Sequence, residues 1–286
     1  MDFGVAQILS DTGARLRERF WGLVGLWLTY FAIMMGLVLV FGIVVGGSAM
    51  ALAGSLESGG DFGTMGGGFL AGAAVFYLAY ILIAVAQYAS LNAMASPLRQ
   101  ASFGEALSAG MRSAPTLLGV MILFLIVYFA IAMVFGAIMG AMGVASGDGA
   151  GALALVLTGV LVLVVLYLGC RLSIVFPIVP VDGVRNPLTA IGRSWSLTRG
   201  HALPIFLAML ILLAIGGALF AAVLIPTTGV MSAAAEGDAA PAIGSMLFLM
   251  LGVVVVSIVF VVAYSAMLSS IHARLAGESG VSATFE

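Results

Sequence analysis

Long apolar stretches alternate with short polar breaks along the whole chain. The apolar runs cover about residues 21–47, 67–95, 116–144, 151–176, 203–231 and 243–271. Each exceeds the roughly 20 residues that a helix needs to cross the hydrocarbon core of a bilayer. The runs are apolar on every face and lack the period-two alternation of barrel strands. The pattern predicts an all-α polytopic membrane bundle of six transmembrane helices, forming a single domain over residues 1–286.

A second pattern is laid over the first. A short amphipathic segment precedes each pair of runs: Asp2 to about Arg19, Ser102 to Pro115, and Asn186 to Gly200. Ser102 and Glu105 have the spacing of a capping box, in which side chains satisfy the free amides of a helix start. Asn186 is a suitable N-cap with Pro187 at the first helical position, and Gly200 can close the helix. Phe103, Leu107, Gly110, Met111 and Ala114 share one face of the second segment, and Leu188, Ile191 and Trp195 share one face of the third. The expected architecture is three hairpins, each preceded by an amphipathic interfacial helix that lies at headgroup level or against the underside of the bundle. The pairs Gly42/Gly46, Gly68/Gly72 and Gly136/Gly140 have the spacing that lets membrane helices approach closely. The stretch 48–66 reads as a linker.

Composition agrees with the pattern. The 286 residues are 63% hydrophobic and 8% charged, where a soluble domain carries about 25% charged residues. Charge adds orientation. All ten basic residues are Arg, with no Lys. Every one falls before span one, between spans two and three, at or after the end of span four, or after span six. The other loops carry Glu57, Asp61, Asp148, Glu236 and Asp238 and no Arg. The positive-inside rule then places both termini in the cytoplasm. Arg in place of Lys, with abundant Ala and Gly, suggests a GC-rich bacterial genome and hence a bacterial cytoplasmic (inner) membrane. Arg15, Arg17 and Arg19 before the first run resemble a signal peptide, but Trp21 to about Gly46 is far longer than a signal core of about 7–15 residues. It reads as a retained span. No basic stripe is large enough for nucleic acid. Cys170 has no second cysteine to pair with and reads as a small packing residue.

Candidate chemistry concentrates between Arg171 and His201. Arg171 lies deep in span four, where a charge is costly unless it snorkels or is paired. Pro177 and Pro180 disturb the helix beyond it, and Asp182, Arg193, Ser194 and Arg199 follow. Two readings are open. Arg171 pairs with Asp182 or a backbone carbonyl and fixes the end of span four, or Arg171, Arg193, Ser194 and Arg199 form a site for an anionic headgroup, since guanidinium donors suit phosphate. Asn92 and Gln87 in span two read as interhelical hydrogen-bond partners.

The strings Arg171-Leu172-Ser173, Phe176-Pro177, Val179-Pro180-Val181-Asp182-Gly183, Pro187-Leu188 and Arg193-Ser194-Trp195-Ser196-Leu197-Thr198-Arg199-Gly200 carry a resemblance. Together with the six-span plan, they resemble the glycerophosphoryl diester phosphodiesterase membrane-domain family over nearly the whole chain. The family takes its name from proteins that join such a domain to a soluble phosphodiesterase. That chemistry needs carboxylates and histidines around a metal. Here the two histidines, His201 and His272, both read as boundary side chains, and no catalytic motif, metal set or cofactor is implied. The expectation is a non-enzymatic membrane protein that binds anionic lipid or a protein partner at its cytoplasmic face, with membrane lipids as the first partners. A transporter or lipid translocator, and a membrane-embedded lipid enzyme, are the alternatives.

Overall fold

A computed structural model describes residues 4–57, 62–141, 151–235 and 239–284. These residues are all-α, with no strand among them. The helices are α1 (Val5–Glu57), α2 (Phe62–Ala95), α3 (Phe103–Ala141), α4 (Gly151–Leu172), α5 (Val175–Asp182), α6 (Pro187–Leu197), α7 (Ala202–Ala235) and α8 (Ala239–Thr284). Six are long and apolar enough to cross a membrane, and the protein is a multi-pass membrane protein. The linker expected over 48–66 is mostly helix, because α1 continues to Glu57 and α2 starts at Phe62. Residues 58–61, Asp148, Glu236, Asp238 and the last residues of span three lie outside the described residues.

Of the three amphipathic segments, only the third is a separate helix. The first runs unbroken into span one, giving α1 its 53 residues, a length of about 80 Å against a hydrocarbon core of about 30 Å. Its excess therefore stands outside the membrane. The second continues through Pro115 into span three. Proline there forfeits one bond to the carbonyl of Met111, whose residue is exposed, so the helix survives. The buried face of this segment is made of Ala106, Ala109, Gly110, Ser113 and Ala114, while Phe103 and Met111 are exposed. Small residues win because this face lies directly against α2: a Cβ on Gly110 would collide with the Ala86 carbonyl and the Ser90 side chain.

Span four is broken, and the break has a plain cause. Pro177 supplies no N–H to the carbonyl four residues back, and its ring crowds that carbonyl. The carbonyl belongs to Ser173, and α4 stops at Leu172. The chain restarts as α5, where Pro177 sits in the first turn and its missing amide costs nothing. Ile174, Val175, Ile178 and Val179 are buried, so α5 fills the middle of the Arg-bearing end. Gly183 (φ 70°) and Gly200 (φ 85°) take the left-handed conformation that ends α5 and separates α6 from α7.

The buried core lies almost entirely at that end. It takes residues between Ile8 and Tyr30 of α1, Val85 and Ala95 of α2, Ala106 and Val120 of α3, Val175 and Pro180 of α5, and Val262 and Leu275 of α8, with Ile205 and Ala208 of α7. Farther along, Ala154, Gly216 and Thr227 are the buried exceptions among the described residues. The outer halves hold together chiefly within hairpins. Phe41 stacks on Phe76 at 4.1 Å between α1 and α2, and Gly216 and Gly252 admit Phe260 and Val223 between α7 and α8. The glycines of the spaced pairs that are described, Gly42, Gly46, Gly72, Gly136 and Gly140, face open space instead. They lie in the flared half, where no neighbouring backbone comes near. Because lipid is as apolar as leucine, close contact and polar pins hold membrane helices together. Two pins lie inside the core: Tyr30 Oη to Ser90 Oγ at 2.8 Å, and Ser269 Oγ to the Asn92 carbonyl at 3.0 Å and to its Oδ1 at 3.1 Å. Asn92 is thus an interhelical partner, as its position in span two suggests.

Candidate functional site

Arg171 sits in the last turn of α4 and is buried. Its Nη1 donates to the Trp195 carbonyl at 2.9 Å and reaches the Thr198 hydroxyl at 3.4 Å, and Nε donates to Tyr167 Oη at 3.1 Å. The guanidinium lies 4.5 Å from the Trp195 ring centre and 5.6 Å from that of Tyr167. A desolvated cation over an aromatic face gains about 2 kcal/mol, and each hydrogen bond to a charged group about 1.5–3 kcal/mol. These contacts offset the cost of the buried charge. Of the partners expected for Arg171, the structure supplies a backbone carbonyl and not Asp182.

The backbone of Arg171 is held as firmly as its side chain. The end of α4 leaves carbonyls without helical partners. The Arg171 carbonyl accepts from Ser194 Oγ at 2.8 Å and Thr198 Oγ1 at 3.1 Å. Both hydroxyls come from α6 or its C-cap and are fully buried. The Ser-Trp-x-Leu-Thr string therefore clasps Arg171 from both sides, and Ser194 has no hydroxyl to offer an external ligand.

Asp182 belongs to a second group. Its Oδ2 lies 2.9 Å from Arg193 Nε and 3.1 Å from His272 Nε2, tying α5 to α6 and α8. Arg99 Nη1 donates to the Pro180 carbonyl at 3.0 Å. Cations thus surround the negative end of α5, where the helix dipole favours them. His272 is fully buried and its Nδ1 has no hydrogen-bond partner, so it is an interior residue and not the boundary side chain expected. No sequence signal separated it from the partly exposed Ala273 and Arg274 that follow it, since its burial depends on α5 packing against α8.

The five candidates do not converge on one cavity. Arg171 and Ser194 form the clasp, Asp182 and Arg193 form the junction, and Arg199 is exposed beyond both. What remains open to a ligand is a set of cations around α6: the half-exposed side chain of Arg193 on the helix, Arg185 before it and Arg199 after it. The helix has two further faces. Ala190 and Ser194 face the bundle, while Leu188, Ile191 and Trp195 form an apolar side. Ile191 and Trp195 line a crevice of about 460 Å³ between α3 and α4. A separate pocket of about 340 Å³ lies between α1 and α8, with Asp11, Arg15, Ser270 and Arg274 in its wall. Arg274 is already engaged there by Asp11 and by Gln7. Among the described residues, no cluster of His, Cys, Asp or Glu is arranged to hold a metal.

Fold and site together define a multi-pass, all-helical membrane protein with a clasped arginine at one end. No family model, curated protein or solved structure matches the chain.

Proposed function

We propose that the protein is a non-enzymatic membrane module that holds the head group of an anionic lipid at its Arg-bearing end, and that this end faces the cytoplasm of a bacterial inner membrane. The reading is supported by one observation above the others. The exposed Arg185 and Arg199 bracket α6, whose Leu188, Ile191 and Trp195 side is apolar, which suits a molecule that is anionic at one end and hydrocarbon at the other. The clasp at Arg171 keeps that helix in place. The strings that resemble the glycerophosphoryl diester phosphodiesterase membrane-domain family lie at this clasp.

Native mass spectrometry of protein released from nanodiscs tests this. With equal phosphatidylglycerol and phosphatidylethanolamine, wild type is expected to retain phosphatidylglycerol selectively. Arg185→Gln with Arg199→Gln is expected to abolish that selectivity while leaving the fold intact, since neither side chain joins the clasp or the junction. Equal retention of both lipids by wild type would return the arginines to the role of topology markers.

A further inference from the structure

α3 and α4 are consecutive in the chain yet diverge. α4 packs on α7 and α6, and an apolar crevice opens on its α3 side. Next to α6 its walls include Phe124, Ile131, Leu168, Phe176, Trp195 and Tyr264. It continues outward into a second cavity of about 420 Å³ walled by Val134, Ile138, Leu157 and Leu161, with Ile131 bordering both. From Leu123 to Ile138, α3 advances about 22 Å at about 1.5 Å per residue. That is longer than one leaflet, which is half of a hydrocarbon core of about 30 Å.

We propose that this crevice is the binding site for one acyl chain of an anionic phospholipid, whose head group rests on the arginines that bracket α6. The inference rests on the function proposed above and names the part of the ligand that reading leaves open. Three observations carry it. The lining is almost wholly apolar along its length, so the occupant there is hydrocarbon. Trp195 lines the end next to α6, with its ring held 4.5 Å from the Arg171 guanidinium, so that wall of the crevice is fixed. Arg185 and Arg199 are exposed just beyond the two ends of α6, so positive charge stands at the end of the molecule where the chain's head group emerges.

Filling the crevice tests the idea. Ile131→Phe with Val134→Phe narrows it at both cavities, and Met133→Phe, on the exposed side of the same turn, is the control. In nanodiscs of phosphatidylglycerol and phosphatidylethanolamine, the filled variant is expected to lose retained lipid about tenfold or more, equivalent to about 1.4 kcal/mol. The control is expected to match wild type. A second measurement needs no filled variant. In a Trp21→Phe, Trp27→Phe background, Trp195 is the remaining tryptophan, and phosphatidylglycerol with brominated chains is expected to quench it well beyond the bulk-lipid level. Quenching at the bulk level overturns the proposal even if the filled variant fails to fold. Lipid retained by the filled variant but lost with Arg185→Gln and Arg199→Gln overturns the crevice while leaving the head-group site standing. Absence of any selective lipid defeats both, and a co-released protein helix in place of lipid overturns the chain assignment in favour of a partner.

Discussion

Removing the Arg171 side chain leaves the Trp195 carbonyl without its charged donor, takes one partner from the Tyr167 and Thr198 hydroxyls and ends the contact with the Trp195 ring. A carbonyl left without its donor costs about 1–3 kcal/mol and the lost cation–π contact up to about 2 kcal/mol more, so Arg171→Ala is expected to be among the most destabilising substitutions in the chain. Arg171→Lys is expected to rescue little of it, because a point ammonium cannot stack on Trp195 while serving the carbonyl and hydroxyls. Thermal melts in one detergent rank the three proteins, and a lysine variant as stable as wild type would show that charge alone suffices. The junction at Asp182 predicts a different ranking. Asp182→Asn deprives both Arg193 and a fully buried His272 of the carboxylate, at a cost of about 1–3 kcal/mol. Arg193→Gln loses a half-exposed pair of about 1 kcal/mol or less. Equal losses in the two variants would show that His272 gains nothing from Asp182. At this scale the sequence marked Arg171 as a costly charge and pointed to the strings around it. It could not show that Ser194 turns inward to the Arg171 carbonyl, because that depends on where α4 stops relative to α6.

Helix contacts separate the glycines that matter from those that only look the part. Gly110→Ala is expected to cost about 1–3 kcal/mol through overpacking, since the obstacle includes the Ala86 backbone carbonyl, which cannot swing away. Gly136→Ala faces open space and is expected to be neutral or slightly stabilising. Melting both variants checks the contrast. The spacing of small residues is visible in any sequence, whereas the depth at which two helices approach is a property of the assembled bundle. The start of α3 offers a pH test. Glu105 accepts from the Ser102 backbone N–H and hydroxyl, each at 2.8 Å, and these bonds, with a smaller pull from Arg99, lower its carboxyl below the usual value of 4.5. A depressed folded-state value means that the stabilisation is present above the unfolded value and is lost as pH falls through the folded one. Wild type is therefore expected to exceed Glu105→Gln in melting temperature near neutrality, with the gap closing only below pH 4.5. A gap that persists in strong acid would mean that the capping box does not depend on the ionised carboxylate.

Across the whole molecule, six spans put α1's start and α8's end on one side, together with the turn before α3. In a Cys170→Ala background, Ser108→Cys and Gly277→Cys are expected to react with an impermeant maleimide from the same face of oriented vesicles, and Ala141→Cys from the opposite face. Labelling of Ser108 and Gly277 from different faces would break the six-span topology. The span count and fold class were legible because membrane length imposes a hard minimum on each apolar run. The separation of three amphipathic helices was only partly legible, since Pro115 reads as a stop in sequence but is absorbed by α3. The break inside span four has a consequence for how the protein is made. Its central element, α5, emerges from the ribosome only after the first four spans. Those spans can enter the bilayer as hairpins, but the surfaces of α2 and α3 that α5 later covers stay uncovered in the nascent chain. Synthesis therefore ends with a closing step in which α8 brings His272 onto Asp182. A chain arrested after span four would be inserted yet unlocked, and a natural substrate for membrane quality control.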